Sequence, residues 1–198
     1  AKLLLFANSV NMTIFASLKL ISLSLKVLII ITAKDPVGFF YSKIVPATIL
    51  NSTTAKMAET GNFDIIITDP PYAGNVNYSE LADFFYVWLR LSLKDVYPQF
   101  QPEHTPKTEE VIENKTRGKS SIDFKEGLKS VFEECNRVSK EDALLIFTFH
   151  HSEDSAWESL LDAVCEAGYF IEAVYPINGE AENSLHLMNN DAISYDLI

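Results

Sequence analysis

Asp69-Pro70-Pro71-Tyr72 sets a carboxylate, two residues of fixed φ and an aromatic ring in consecutive positions. Proline locks φ and carries no N–H, so the run holds hydrogen-bond acceptors rigidly: the Asp69 side chain and the Pro70 carbonyl. Two fixed acceptors suit an amino group attached to an aromatic ring. Such an amine is a poor nucleophile because its lone pair is delocalised into the ring. Accepting a hydrogen bond from each N–H localises that pair, and preorganised acceptors do so without reorganising during the reaction. Tyr72 would then stack on the ring, as happens when a base is swung out of a duplex for chemistry. The plain alternative is a rigid turn closing a strand. The context favours chemistry, because Asp64-Ile65-Ile66-Ile67-Thr68 leads directly into the run, and open α/β sheets bind ligands beyond the carboxyl ends of their strands.

The elements that must position this loop follow from the apolar pattern. Strands are expected at 3–6, 26–31, 47–50, 63–68, 143–149 and 170–175, with a last one starting near 192. Helical spacing is expected at 12–21, 36–44, 79–93, 122–138 and 155–167. In the helix at 79–93, Leu81, Phe84, Phe85, Trp88 and Leu89 recur at three- and four-residue intervals, which predicts a core face carrying Trp88. Ser121 or Asp123 is expected to cap the helix that follows. Residues 98–121 show little periodicity and read as a long loop. Alternation of strands and helices implies an α/β fold with a parallel sheet and helices on both faces.

Thr68-Asp69-Pro70-Pro71-Tyr72, continuing into Asn75-Val76-Asn77-Tyr78-Ser79-Glu80-Leu81 and Asp83-Phe84-Phe85-Tyr86-Val87-Trp88-Leu89, resembles the adenine-specific DNA methylases of the zinc-ribbon-associated family. The resemblance continues through Phe124-Lys125-Glu126-Gly127-Leu128, Phe147-Thr148-Phe149-His150-His151, Trp157, Ala167-Gly168-Tyr169 and Ile193-Ser194-Tyr195-Asp196, covering most of residues 60–198. It implies a class I methyltransferase dependent on S-adenosylmethionine (SAM): one Rossmann-like domain with a mostly parallel, seven-stranded sheet. Residues 1–58 would form a divergent cofactor half and 59–198 the catalytic half, ending inside a strand as though truncated. The implied substrate is a DNA base, adenine preferred over cytosine, and the implied catalytic residues are Asp69, Pro70, Pro71 and Tyr72. The family's metal ribbon has no counterpart, and no metal is expected.

The cofactor half departs from the family pattern. Its glycine-rich loop corresponds to Phe6-Ala7-Asn8-Ser9-Val10, with Asn8 and Val10 where glycines are expected to admit the cofactor. Ala33 stands at the place of the ribose-binding acid, with Asp35 two positions on. The resemblance therefore assigns SAM binding to Phe6, Ala7, Asn8, Asp35, Asn51 and Ser52. Either SAM binding is weakened or lost, or the loop lies elsewhere in this segment.

Composition sets the rival readings. A net charge of −11 repels phosphate. Lys115, Arg117 and Lys119 form the compact basic cluster available to grip nucleic acid, unless another domain or subunit supplies that grip. An RNA or small amino-bearing substrate keeps the chemistry; a catalytically silent nucleic-acid or protein-binding domain abandons it. His150 and His151 end a strand near the expected pocket, either lining it or serving structure. Cys135 and Cys165 form no CxxC pair and suit a reducing cytoplasm. The apolar N-terminal stretch is broken by Asn8, Asn11, Lys19 and Lys26, so no membrane span is expected.

Overall fold

The computed structural model describes residues 3–7, 53–57, 63–178 and 195–198. The elements expected between residues 12 and 50 lie outside the described residues, as does the expected start of the last strand near 192. Three parallel strands form the centre: β1 (Leu3–Ala7), β2 (Phe63–Asp69) and β3 (Ser139–Phe147), with β2 in the middle. Leu5 and Ile146 flank Ile67 on the two sides, and Ala7 pairs with Asp69. Ile66 is fully buried, as expected of a β-branched run in a covered strand.

Two expected strands are shifted. The strand expected at 143–149 begins at Ser139, where the preceding helix passes straight into it, the Ser139 hydroxyl donating to the Cys135 carbonyl at 2.7 Å. It ends at Phe147, and Thr148 N–H still donates to the Thr68 carbonyl of β2 at 3.4 Å. Residues 170–175 are not a strand. Pairing begins at Tyr175, whose backbone exchanges bonds with Ile198, and continues as β4 (Pro176–Asn178) against antiparallel β5 (Tyr195–Leu197). A bridge between Phe149 and Leu197 links this ribbon to β3. The described residues therefore show a mixed α/β fold with five strands, three of them parallel, and not a seven-stranded sheet.

Helices α1 (Tyr78–Leu93), α2 (Ser121–Val138) and α3 (Asp154–Glu166) match the expected periodic segments within a residue. α2 buries Phe124, Leu128, Phe132, Cys135 and Val138, one stripe at four- and three-residue steps. Phe124, Leu128 and Phe132 meet Ala156, Leu160, Ala163 and Val164 of α3, while Cys135 and Val138 pack with Ile66 and Met57. Burial pushes the Cys135 thiol up to about 12, so it stays a protonated core residue. The cap of α2 is Ser120, not Ser121: its hydroxyl accepts from Asp123 N–H, and the Asp123 carboxylate accepts from Ser120 N–H, a capping box. α3 ends in a Schellman motif, with Gly168 at φ +91° and bonds from Gly168 and Tyr169 N–H to the Cys165 and Val164 carbonyls.

The segment expected to be a long loop at 98–121 is a strap laid on α1. It contains one-turn 3₁₀ helices at Pro98–Phe100 and Lys115–Arg117 and runs back along α1. The Pro102 carbonyl accepts from Arg90 Nε and from the Tyr86 hydroxyl, both at 2.8 Å, and the Tyr86 ring stacks on Phe100. Thr105 bonds to Asp83 and to the Ser79 carbonyl. Ser79, Asp83, Tyr86 and Arg90 fall on one face at helical spacing, and that polar face meets the strap. The aromatic face is turned the other way. Leu81, Phe84, Phe85, Trp88 and Leu91 are exposed, Trp88 by 64%, so the expected core role of Trp88 is corrected.

Candidate active site

β2 delivers Asp69 to the carboxyl edge of the parallel strands, and the chain then turns through buried Pro70 and Pro71. Two hydroxyls hold Asp69. Tyr72 and Thr148 each donate to its Oδ1 at 2.7 Å, one from the same turn and one from the end of the neighbouring strand. The half-buried Tyr72 ring meets buried Phe149 edge-on, with centroids 5.4 Å apart, and Phe149 meets Trp157 in the same way at 4.8 Å. Past Tyr72, Ala73 is buried in the left-handed region at φ +46°, a conformation that its side chain disfavours and its surroundings must enforce.

The histidines divide. The His150 ring lies 6.3 Å from that of Tyr72, beside the loop. His151 is buried and serves structure: its Nδ1 accepts from Glu153 N–H at 3.0 Å, and its carbonyl accepts from Trp157 Nε1 at 3.0 Å. Among the described residues no group of His, Cys, Asp or Glu is arranged to hold a metal ion.

The basic cluster is brought together in the turn at 114–119 but does not face outward as a unit. Lys115 is exposed. Arg117 turns inward, its Nη1 donating to Glu110 at 2.7 Å and its Nη2 pairing with Glu80. Burial works against the charged guanidinium, yet the bonds to Glu80 and Glu110 more than offset it and hold its pKa above the ordinary value. Lys119 Nζ donates to the carbonyls of Thr108 and Glu110, and burial lowers its pKa.

Of the residues assigned to the cofactor, Phe6 and Ala7 are the described ones. They end β1 in register with Thr68 and Asp69. Asn8, Asp35, Asn51 and Ser52 lie outside the described residues.

Three residues near the loop escaped sequence reasoning. Thr148 stood as one polar residue between two phenylalanines, with its partner far away in the chain. Tyr78 begins α1 with a phenol raised by burial, opposed by the Tyr72 backbone and reinforced by the charges of Asp69 and Glu110. Glu110 looked like one acid in a charged loop, yet it is 2% exposed. No family model, curated protein or solved structure matches the chain.

Among the described residues no helix is long and apolar enough to cross a membrane.

Proposed function

We propose that the chain transfers a methyl group from SAM to the exocyclic amino group of a DNA base, adenine in preference to cytosine. The observation that carries this reading is the support built around Asp69. A carboxylate at the end of a central parallel strand is fixed by two hydroxyls, and the next residue presents a carbonyl that proline makes rigid. Asp69 and the Pro70 carbonyl accept the two N–H bonds of the amine, and Pro71 keeps the turn from relaxing. The bonds from Tyr72 and Thr148 fix the Asp69 rotamer before substrate arrives, which is where preorganisation lowers a barrier. Tyr72 presents its half-buried ring to the base beside the acceptors.

Phe6 and Ala7 end β1 in register with Thr68 and Asp69, and this adjacency supports a cofactor site at the same sheet edge as the amine acceptors. Asn8, Asp35, Asn51 and Ser52 would complete that site. SAM supplies an electrophilic methyl when bound.

A second reading, a catalytically silent binding domain, is favoured by the charge of −11 and by the inward use of Arg117 and Lys119. A grip on phosphate would then come from Lys115 with other basic residues of the chain, or from a separate domain or subunit. Calorimetry with SAM, beside methyl incorporation into DNA and RNA oligonucleotides, separates the two. SAM binds and duplex DNA accepts the methyl if the chain is the enzyme; no binding at millimolar SAM refutes it. Incorporation into RNA alone moves the substrate and keeps the chemistry. Asp69→Ala removes an acceptor used in the transition state and lowers turnover by about 100-fold or more without unfolding the protein; retained activity would sink the assignment of Asp69.

A further inference from the structure

The turn after Tyr72 is held from outside itself. Asn77, at the N-cap of α1, makes no side-chain cap bond. The open first turn is satisfied instead by Glu110, whose Oε1 accepts from Ser79 N–H at 2.8 Å and whose Oε2 accepts from the Ser79 hydroxyl at 2.6 Å. A carboxylate at a helix N-terminus is favoured by the helix dipole as well as by these bonds. The Glu110 side chain is only 1% exposed, and Arg117 balances its charge while reaching Glu80 on the same turn.

Neighbouring strap residues grip the rest of the segment. Asn114 Nδ2 donates to Asn77 Oδ1 at 2.8 Å. Glu113 N–H donates to the Ala73 carbonyl at 3.3 Å, and a Cβ on Gly74 would come within 3.3 Å of the Glu113 carbonyl. Residues 110–117 thus contact 73–80 at Ala73, Gly74, Asn77, Ser79 and Glu80. That segment begins at the residue after Tyr72 and includes the left-handed Ala73.

We propose that Glu110, partnered by Arg117, is a positioning residue that fixes the 73–80 segment and, through it, sets Tyr72 against Asp69. Removing one partner of a buried ion pair leaves the other charge uncompensated, so the Glu110–Arg117 pair resists rearrangement of the strap. Here it joins the strap to the first turn of α1, which follows the reacting turn. Its kinetic consequence rests on the reading of Asp69 and Tyr72 as the reacting loop; its structural consequence does not.

Two variants of the full chain test it. Glu110→Gln keeps the shape and one acceptor but removes the charge facing Arg117, and Asn114→Ala removes only the grip on Asn77. Amide hydrogen exchange at 73–80 should accelerate by roughly tenfold in Glu110→Gln and severalfold in Asn114→Ala, with α2 and α3 unchanged, because the opening is local. Misplacing reacting groups costs about 100-fold, so kcat for methylating an adenine-containing duplex should fall while KM for SAM and for the duplex holds. Unaltered exchange at 73–80 in both variants overturns the proposal. So does acceleration spread equally over α2 and α3, the mark of a merely structural group, or a rise in KM with kcat kept. If the unaltered protein methylates neither DNA nor RNA, the methyltransferase reading falls and the exchange measurement still decides the clamp.

Discussion

The first turn of α2 is closed by residues three apart in the chain, Ser120 and Asp123, whereas the first turn of α1 is closed by Glu110, 31 positions from Ser79. α2 also buries an unbroken apolar stripe against α3 and the sheet, while α1 buries only Ser79, Ala82 and Tyr86 and turns its large apolar residues outward. One helix is defined by its own sequence and its core. The other is held along a polar face by a strap. Elements of the second kind open more easily than the core, since few apolar contacts must be lost. The reacting loop leads into that helix, so its geometry depends on contacts that can be altered without dissolving the fold.

The strap and α2 meet at one crowded point, where the comparison can be broken most strongly. A Cβ on Gly127 would lie 2.8 Å from Val111 Cγ1 and 3.0 Å from Cγ2. Valine is stiff at χ1 and cannot easily turn aside. Gly127→Ala should therefore destabilise by about 1–3 kcal/mol through overpacking, although alanine is the better helix former. Combining it with Val111→Ala opens the space and should recover part of the loss in urea denaturation. If the single variant is as stable as the parent, the strap is not pressed onto α2.

What was legible in the sequence follows the range of the interactions. The isoleucine run of β2 and the helical spacing of α2 are local patterns, and both elements are found where they were expected, with β2 ending at Asp69. The box of Ser120 and Asp123 was missed by one residue as to its cap. Thr148 and Glu110 had no local signal, because their partners lie 79 and 31 positions away. The strap read only as a long loop because it is held by polar bonds to α1, which leave no apolar period. The aromatic spacing of α1 identified a helix correctly and its buried face wrongly. Periodicity fixes a stripe, not the side of it that the core occupies.

A smaller effect tests the self-contained end of α2. Ser120→Ala removes the hydroxyl that accepts from Asp123 N–H, and loss of such a cap costs about 1 kcal/mol. The loss should appear in the exchange of the first turn of α2 and leave residues 73–80 untouched. Acceleration at 73–80 would mean that the two helix starts are coupled through Lys119 and the turn before it, which would dissolve the contrast between them.

The smallest expected effect concerns the outer face of α1. Trp88 is 64% exposed, and Phe84 and Leu91 stand exposed beside it at helical spacing. An exposed side chain contributes little by burial, so Trp88→Ser should change stability by no more than about 0.5 kcal/mol. Truncating a buried tryptophan costs about 3–5 kcal/mol, so the two cases are far apart in a chemical denaturation curve. A loss approaching the larger value would mean that this face is covered in solution. α1 would then be held from both sides, and the strap would no longer be what distinguishes it from α2.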